Sequence, residues 1–211
     1  MTTASISNLN LLKVFDESTH ATYYGCNQEW YAGDRQRRAG CGPTVASTII
    51  NYLNHTRSVL GSQTSCNRRE ICLPFMEEVW DYVTPQKEGI PTTKMFYEDV
   101  LSYAKSKGIT VEYSFLDVPQ DKFLRAPLPD VLSFLETALL KDIPVAFLNL
   151  CNGDEDNLDS WHWVTIISLE CDKERNSIFV NILDRGLIKK IDLALWYNTT
   201  TLGGGFVYFM V

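Results

Sequence analysis

The chain has 211 residues, of which 45% are hydrophobic and 21% are charged, and its formal net charge is −7. This length suits one domain and leaves little room for a second, so we expect residues 1–211 to fold as a single domain. An acidic chain without a basic face is a poor candidate for nucleic-acid binding or for docking on anionic lipid, and neither partner is expected.

No targeting or membrane signal stands out. Residues 1–10 are polar, and the apolar patch at 11–15 is short and lacks a basic lead. No apolar run approaches the roughly 20 residues that span a bilayer. We therefore expect a cytoplasmic protein, and nothing in the sequence indicates its oligomeric state.

The cysteines are expected to be free thiols, because a chain of this length without a secretory signal is typical of a reducing compartment. They are Cys26, Cys41, Cys66, Cys72, Cys151 and Cys171. No C-x-x-C pair occurs, and none of the 3 histidines is close to two cysteines in sequence. Because the spacing of a structural zinc site is missing, no metal and no other cofactor is expected.

Helices are predicted mainly where apolar residues recur on one face. The clearest begins at Pro43, whose missing N–H suits the first turn of a helix. Thr92 or Thr93 is expected to cap another helix, and Gly108 to end it. The predicted helical segments are 43–53, 75–83, 93–107, 128–140 and 192–197.

Strands are predicted mainly toward the end of the chain. The predicted strands are 109–115, 145–150, 163–169, 178–183 and 206–211, with a polar hairpin turn at 172–177. Residues 1–20 are expected to form an N-terminal arm or a short strand, and residues 24–40 and 57–70 to form loops. Helices that precede strands predict an α+β domain, with N-terminal helices packed against a C-terminal antiparallel sheet.

Cys41 stands where a predicted loop turns into a helix, within the segment A-G-C-G-P-T. The positive end of a helix dipole lowers the pKa of a thiol placed there, and a neighbouring imidazolium lowers it further. Gly40 and Gly42 would allow a substrate to approach closely, and the N–H of Cys41 would donate to an oxyanion. The alternative interpretation is a small buried hydrophobic residue before a helix.

His162 stands at the start of a predicted strand, where its imidazole could reach a groove and act as a general base. Asp184 ends the next predicted strand, so antiparallel pairing would place it beside His162 and let it orient the ring. Asn181 is a weaker candidate for that role, because on a regular strand it shares a face with Leu183 and not with Asp184. Taken singly, a core histidine and a turn aspartate are the ordinary alternatives.

The order of these residues is Cys, His and Asp, with His162 121 positions and Asp184 143 positions after Cys41. In this order the chain resembles papain-like cysteine peptidases, in particular the branch of bacteriocin-leader-processing (double-glycine) peptidases. The segments that carry the resemblance are Q-E-W-Y at 28–31, G-C-G-P-T at 40–44 with the helix that follows, W-H-W-V at 161–164, and Asp184. The resemblance implies a papain-like cysteine protease fold and a Cys-His-Asp triad.

Such families usually carry a glutamine upstream of the nucleophile, whose side-chain amide completes the oxyanion hole. Gln28 resembles that glutamine, and Gln36, which is closer to Cys41 in sequence, is the alternative. The residues expected to line a substrate groove are Gly40, Gly42, Trp161 and Trp163. The tryptophans fit core or groove-wall positions better than a cofactor box.

Two charged clusters flank these motifs. The arginines at 35, 37 and 38 are expected to form a solvated loop, with attraction of an acidic substrate or a lowering of the thiol pKa as the alternatives. The acidic residues at 154, 155, 156 and 159 lack the central glycine and terminal glutamate of an EF-hand loop. They are expected to form a surface loop at the groove mouth, with selection of a cationic substrate as the alternative.

The sequence thus predicts a cysteine-dependent hydrolase that attacks an amide or peptide bond through a thiolate and an acyl-enzyme. The expected partner is a peptide or an amide-bearing small molecule. One alternative is an acyltransferase or amidase, transglutaminase-like or phytochelatin-synthase-like, that uses the same triad. Another is a catalytically silent binding module that kept the fold, and a third is a structural protein with a redox-sensitive thiol. Cleavage after paired glycines is not carried over to this chain.

Overall fold

Helices and an antiparallel sheet form the two layers of the structure. The computed structural model describes residues 2–58, 66–87, 89–172 and 177–211. The α-helices among them are α1 (Asp34–Ala39), α2 (Cys41–Arg57), α3 (Arg69–Trp80), α4 (Thr93–Ser106), α5 (Leu128–Leu140) and α6 (Leu193–Thr199). The strands are β1 (Thr2–Ser5), β2 (Lys13–Asp16), β3 (Ala21–Tyr24), β4 (Glu112–Val118), β5 (Val145–Asn149), β6 (His162–Asp172), β7 (Ser177–Asp184), β8 (Leu187–Asp192) and β9 (Gly204–Met210). Short 3₁₀ turns occur at Leu9–Leu12, Gln28–Trp30 and Lys122–Leu124.

The main sheet has seven strands in the antiparallel order β4-β9-β5-β6-β7-β8, and β1 also pairs with β6. On one edge of β6, β5 pairs with residues 162–166 and β1 with residues 168–171. On the other edge β7 pairs with β6, with an irregularity between Ile166 and Ser168. Because β6 and β7 are antiparallel, the start of β6 and the end of β7 lie at the same end of the sheet.

The helix α2 is the central helix of the core and packs on β6. Its apolar residues Val45, Ala46 and Ile49 are almost completely buried. Two of its buried hydroxyls bond one turn back along the helix, since Ser47 donates to the carbonyl of Pro43 at 2.8 Å and Thr48 to that of Thr44 at 3.0 Å. The packing of α2 on β6 holds the first residue of the helix against the start of that strand.

Residues 2–20 contain the short strands β1 and β2, so of the two expectations for this segment the short strand is present and the free arm is not. β1 is a strand of the main sheet, and β2 pairs with β3 in a hairpin. The side chain of Leu12, just before β2, and that of Val14, within β2, are buried. Four-residue strands take their stability from partners that are distant in sequence, and a local pattern does not reveal those partners.

Most predicted helices and strands are present, with some ends shifted. The helix predicted over 128–140 coincides with α5. The side chain of Thr92 caps α4 by accepting a hydrogen bond from the N–H of Met95 at 3.1 Å. The helix predicted over 75–83 both begins and ends earlier, as α3.

Elements later in the chain are also missing from the prediction. α1 lies inside the predicted loop over 24–40, and β8 follows the last predicted hairpin strand. Residues 59–65 of the predicted loop over 57–70 and residues 173–176 of the predicted hairpin turn lie outside the described residues. No helix in the described part of the chain is long and apolar enough to cross a lipid bilayer.

Candidate active site

Cys41 occupies the first turn of α2, directly after the short helix α1. Gly40 links the two helices, and its carbonyl accepts the N–H of Thr44 at 3.0 Å. The N–H groups of a first helical turn have no partner within their own helix and form the positive end of its dipole. Cys41 is 8% exposed, so its side chain lies at a helix end that favours anions, just below the surface.

His162 is the first residue of β6 and Asp184 is the last residue of β7. Nε2 of His162 lies 2.7 Å from Oδ1 of Asp184. Their side chains are 9% and 2% exposed, so the pair is shielded from water. Cys41 and His162 line the same cavity, and the thiol acts on the imidazole by raising its pKa. Because Asp184 occupies Nε2, Nδ1 is the ring nitrogen left for the sulfur.

The two buried partners shift each other's pKa in opposite directions. Burial alone lowers the pKa of the His162 imidazole, but the hydrogen bonds with Asp184 and Cys41 outweigh it and raise the pKa to about 9. Burial alone raises the pKa of the Asp184 carboxyl, but the hydrogen bonds from His162 and Lys189 outweigh it and lower the pKa to about 2. At neutral pH the pair is therefore an imidazolium and a carboxylate.

The structure places Gln28, and not Gln36, beside Cys41. Gln28 lies in a 3₁₀ turn and lines the same cavity as Cys41 and His162. Its Nε2 donates to the carbonyl of Arg37 at 2.9 Å, which fixes the amide and leaves its second N–H for another acceptor. Gln36 instead accepts the N–H of Gly33 at 3.2 Å and serves the start of α1.

Gly40 and Gly42 face atoms of the protein itself. This corrects the expectation that they leave space for a substrate to approach. Gly40 has an ordinary backbone (φ −84, ψ 7), but a Cβ there would lie 2.3 Å from the carbonyl oxygen of Gln36. A Cβ on Gly42 would lie 2.7 Å from Cδ1 of Ile90. The packing around the start of α2 thus requires glycine at position 40, whereas a methyl group at position 42 would have to displace the end of the Ile90 side chain.

The two tryptophans that flank His162 differ in their surroundings. Trp163 is buried, stacks on Phe96 with ring centroids 4.3 Å apart, and donates its indole N–H to the carbonyl of Ile90 at 2.8 Å. It lines the cavity behind Cys41 as part of the core. Trp161 is 53% exposed and has a positive φ of 56°. Of the two, only Trp161 presents its ring to solvent beside the candidate site.

The basic cluster at 35, 37 and 38 is only partly a solvated loop. Arg37 donates to the carbonyls of Tyr31 and Ala32, each at 2.8 Å, and ties α1 to the preceding turn. Arg35 donates to the carbonyl of Pro85 at 3.1 Å. Arg38 is exposed, as the solvated-loop interpretation expects.

The acidic segment also divides into structural and exposed members. Glu155 is buried and accepts the N–H of Asp192 at 2.7 Å. Asp159 pairs with Arg185 at 2.8 Å next to the candidate site. Asp154 and Asp156 are exposed.

Two further positions concern the partner of His162. Asn181, the weaker candidate, donates to the hydroxyl of Ser168 at 2.7 Å and serves the β6–β7 pairing. Sequence reasoning missed Lys189, whose Nζ lies 2.6 Å from Oδ2 of Asp184. The sequence did contain a signal for this contact, namely a lysine five residues after the aspartate, across a turn that contains Gly186.

Asp159, His162 and Asp184 offer ligand atoms within 4.8 Å of one another, a spacing that a metal ion could use. Each of the two carboxylates already faces a cation, because Asp159 pairs with Arg185 and Asp184 with Lys189. A metal ion would have to displace these partners against their charge repulsion. The donor set therefore fits a hydrogen-bonded base better than a metal centre.

The cysteines in the described part of the chain are thiols and not disulfides. Apart from Cys41, the thiol of note is Cys151, which is partly exposed. The hydroxyl of Thr201 donates to its sulfur at 3.1 Å, and this hydrogen bond is the main reason that the pKa of Cys151 is lowered to about 7. Cys151 is thus a second reactive thiol against which the reactivity of Cys41 can be compared.

Comparison with protein-family models found no match, and comparison with curated proteins found none. Among solved structures, the chain is similar to the crystal structure of UfSP from C. elegans, with a TM-score of 0.53 and 12% sequence identity. The similarity covers 98% of this chain and 34% of that chain, so the chain spans about a third of the neighbour's length.

UfSP is a cysteine protease with a papain-like fold. At this identity the similarity bears on the fold and not on the activity. The resemblance to the double-glycine branch stays a prediction. The helices packed on an antiparallel sheet, together with this neighbour, give the chain a papain-like α+β fold.

Proposed function

We propose that the chain is a cysteine-dependent hydrolase that acts on an amide or peptide bond. The observation that carries this proposal is that Cys41 lines one cavity with an imidazole whose Nε2 lies 2.7 Å from Oδ1 of Asp184. A nucleophile, a base and a group that orients the base are what nucleophilic catalysis requires.

In the proposed reaction, the proton of the Cys41 thiol already resides on Nδ1 of His162 in the resting site, as a thiolate–imidazolium pair, and the thiolate attacks the carbonyl carbon. The oxyanion accepts hydrogen bonds from the N–H of Cys41 and from the amide of Gln28. His162 then gives its proton to the leaving amine as the C–N bond breaks. A water molecule, deprotonated by His162, attacks the thioester and releases the acid and the free thiol.

The electrostatics of the site support this sequence of steps. The carboxylate of Asp184 stabilises the imidazolium that forms when His162 accepts a proton, and burial strengthens that interaction. The amide of Gln28 is held by the carbonyl of Arg37, so an oxyanion donor in that position needs little reorganisation.

The structural neighbour supports the same class at a coarse level, because UfSP is a cysteine protease. Its substrate is not transferred, since the identity is 12% and the chain spans about a third of its length. Release of the acyl-enzyme by an amine in place of water would make the chain an acyltransferase with the same three residues. Adding a primary amine to the assay separates the two activities, because only transfer forms an amide product.

The test of the proposal is the reactivity of Cys41 toward iodoacetamide, measured peptide by peptide by mass spectrometry. A thiolate–imidazolium pair still reacts at about pH 5.5, whereas a thiol with a pKa near 7 is then mostly neutral. We expect Cys41 to be alkylated at about pH 5.5 faster than Cys151, whose pKa is about 7, and His162→Gln to abolish that advantage.

The matched activity measurement is the cleavage of a mixed peptide library by wild type, Cys41→Ala and Cys151→Ser. We expect cleavage to be lost in Cys41→Ala and kept in Cys151→Ser. If Cys41 reacts no faster than Cys151 and no peptide is cleaved, the chain is a silent binding module and the hydrolase proposal is wrong.

A further inference from the structure

We propose that Lys189 is a fourth member of the candidate active site, a positioning residue that acts on His162 through the carboxylate of Asp184. The effect of Lys189 on turnover rests on the proposed function, whereas its effect on the pKa of the His162 imidazole does not. The carboxylate is bound on both oxygens, with Oδ1 at 2.7 Å from Nε2 of His162 and Oδ2 at 2.6 Å from Nζ of Lys189.

The hairpin between β7 and β8 creates this contact. Its turn consists of Arg185 and Gly186, both with positive φ (49° and 76°), as two-residue hairpin turns require. In the register, Asp184 lies opposite Leu187 and Lys189 lies opposite Ile182. Asp184 and Lys189 are therefore diagonal neighbours on one face, a separation that a long side chain can bridge.

Burial of Asp184 makes the contact with Lys189 important for the charge of the carboxylate. The side chain of Asp184 is 2% exposed, whereas that of Lys189 is 31% exposed. The lysine thus reaches from the surface to the buried carboxylate. An exposed ion pair contributes little to stability, but a carboxylate removed from water depends on its partners to remain charged. With both oxygens bound, the carboxylate cannot rotate away from the imidazole without breaking one of the two contacts.

The other charged groups around the carboxylate are already paired with each other. Asp159 belongs to the same cluster of ligand atoms as His162 and Asp184, and it pairs with Arg185 at 2.8 Å. Among the residues that the structure describes, the other titratable group that acts on the imidazole is the Cys41 thiol. Lys189 is consequently the cation that shares the Asp184 charge with the imidazolium.

The sign of its effect follows from this sharing. Without the charge of Lys189, the carboxylate of Asp184 interacts with the imidazolium alone. The imidazolium also loses a positive charge from its surroundings. Both changes favour the protonated ring. The same removal makes the carboxylate easier to protonate and leaves Oδ2 without its donor. Lys189 therefore keeps the pKa of the His162 imidazole closer to neutral. It also keeps the carboxylate of Asp184 ionised and fixed in orientation.

The experiment is a titration of His162 by NMR of the ring protons in the full chain. It is tractable because the chain has 3 histidines, and the signal is assigned by its loss in His162→Gln. We expect Lys189→Met to raise the pKa of His162 by about 0.5 to 1 pH unit. We expect Lys189→Arg to restore the wild-type value.

The matched control is Lys190→Met, which removes the same charge from the neighbouring residue of β8. Lys190 pairs with Glu170 at 2.5 Å and not with Asp184. We expect its His162 titration to match that of wild type. If Lys189→Met fails to fold, Lys189→Gln removes the charge and keeps a donor, and the same upward shift is expected. A titration in Lys189→Met or Lys189→Gln equal to that of Lys190→Met would overturn the proposal.

Turnover separates this proposal from the proposed function. We expect kcat of Lys189→Met to fall by about tenfold with little change in KM, a fraction of the roughly 10²–10⁴ that a positioned base contributes. A shifted His162 titration in a chain that cleaves no amide would support the role of Lys189 and contradict the hydrolase. An unshifted His162 titration in a Lys189→Met chain whose wild type cleaves amides would support the hydrolase and contradict the role of Lys189.

Discussion

Nε2 of His162 lies 2.7 Å from Oδ1 of Asp184, although the two residues are 22 positions apart in the sequence. The pairing of β6 with β7 brings them to one end of the sheet, and their burial shields the contact from water. Because Nε2 is occupied, Nδ1 is the ring nitrogen left for Cys41.

Asp184→Asn keeps the shape of the side chain and removes its charge. We expect kcat for amide hydrolysis to fall by about 10²–10⁴-fold and the pKa of His162 to fall, because the imidazolium loses its anion. Steady-state kinetics and the His162 titration measure both effects. Asp159→Asn is the control, since that carboxylate pairs with Arg185. Wild-type turnover in Asp184→Asn would show that the triad assignment is wrong.

The same pair should make stability depend on pH in two windows. The pKa of His162 is raised from 6.5 to about 9, so its contribution is complete below about 6.5 and is lost as the pH rises through about 9. The pKa of Asp184 is lowered from 3.8 to about 2, so its contribution is complete above about 3.8 and is lost as the pH falls through about 2.

Thermal unfolding of wild type and of His162→Gln, followed by circular dichroism, checks this dependence. We expect the variant to be less stable at neutral pH and to lose less stability than wild type between about pH 6.5 and 9. Parallel curves for the two proteins across that range would contradict the assignment of the alkaline window to His162.

Gln28→Ala removes the proposed side-chain oxyanion donor. We expect kcat to fall by about 10²–10³-fold, as for other oxyanion-hole donors, while alkylation of Cys41 by iodoacetamide stays near the wild-type rate. Gln36→Ala is the matched control, because Gln36 bonds the N–H of Gly33 and lies outside the cavity lining. Equal losses of kcat in the two variants would mean that Gln28 has no special role.

The glycines beside Cys41 should differ in the cost of an added methyl group. Gly40→Ala would place Cβ 2.3 Å from a backbone oxygen of Gln36, which cannot move freely. Gly42→Ala would place Cβ 2.7 Å from Cδ1 of Ile90, the end of a flexible side chain. We expect losses of unfolding free energy of about 2–3 kcal/mol for Gly40→Ala and about 1 kcal/mol for Gly42→Ala, within the range for overpacking.

Urea denaturation measures both losses. Ile90→Val removes the methyl group that Gly42→Ala would meet, so the double variant should lose less stability than the sum of the two single variants. Additive losses would place the strain at another contact of Gly42.

The sequence determined the features that depend on neighbouring residues. The helix α2, predicted to begin at Pro43 and found to begin two residues earlier at Cys41, the cap at Thr92 and the extent of α5 follow from local patterns of Gly, Pro, Thr and apolar spacing. The same local information marked His162 as the start of a strand. Short-range geometry is encoded in short-range sequence, and for that reason these elements could be predicted.

The tertiary structure decided which distant residues meet. The fold brings Gln28 to the cavity of Cys41 and leaves Gln36 at the start of α1. It places Lys189 on the second oxygen of Asp184 and gives Gly40 a packing role. These outcomes depend on the register of β7 and β8 and on the path of the chain through α1. Both are set by contacts between segments far apart in sequence, and no local pattern specifies them.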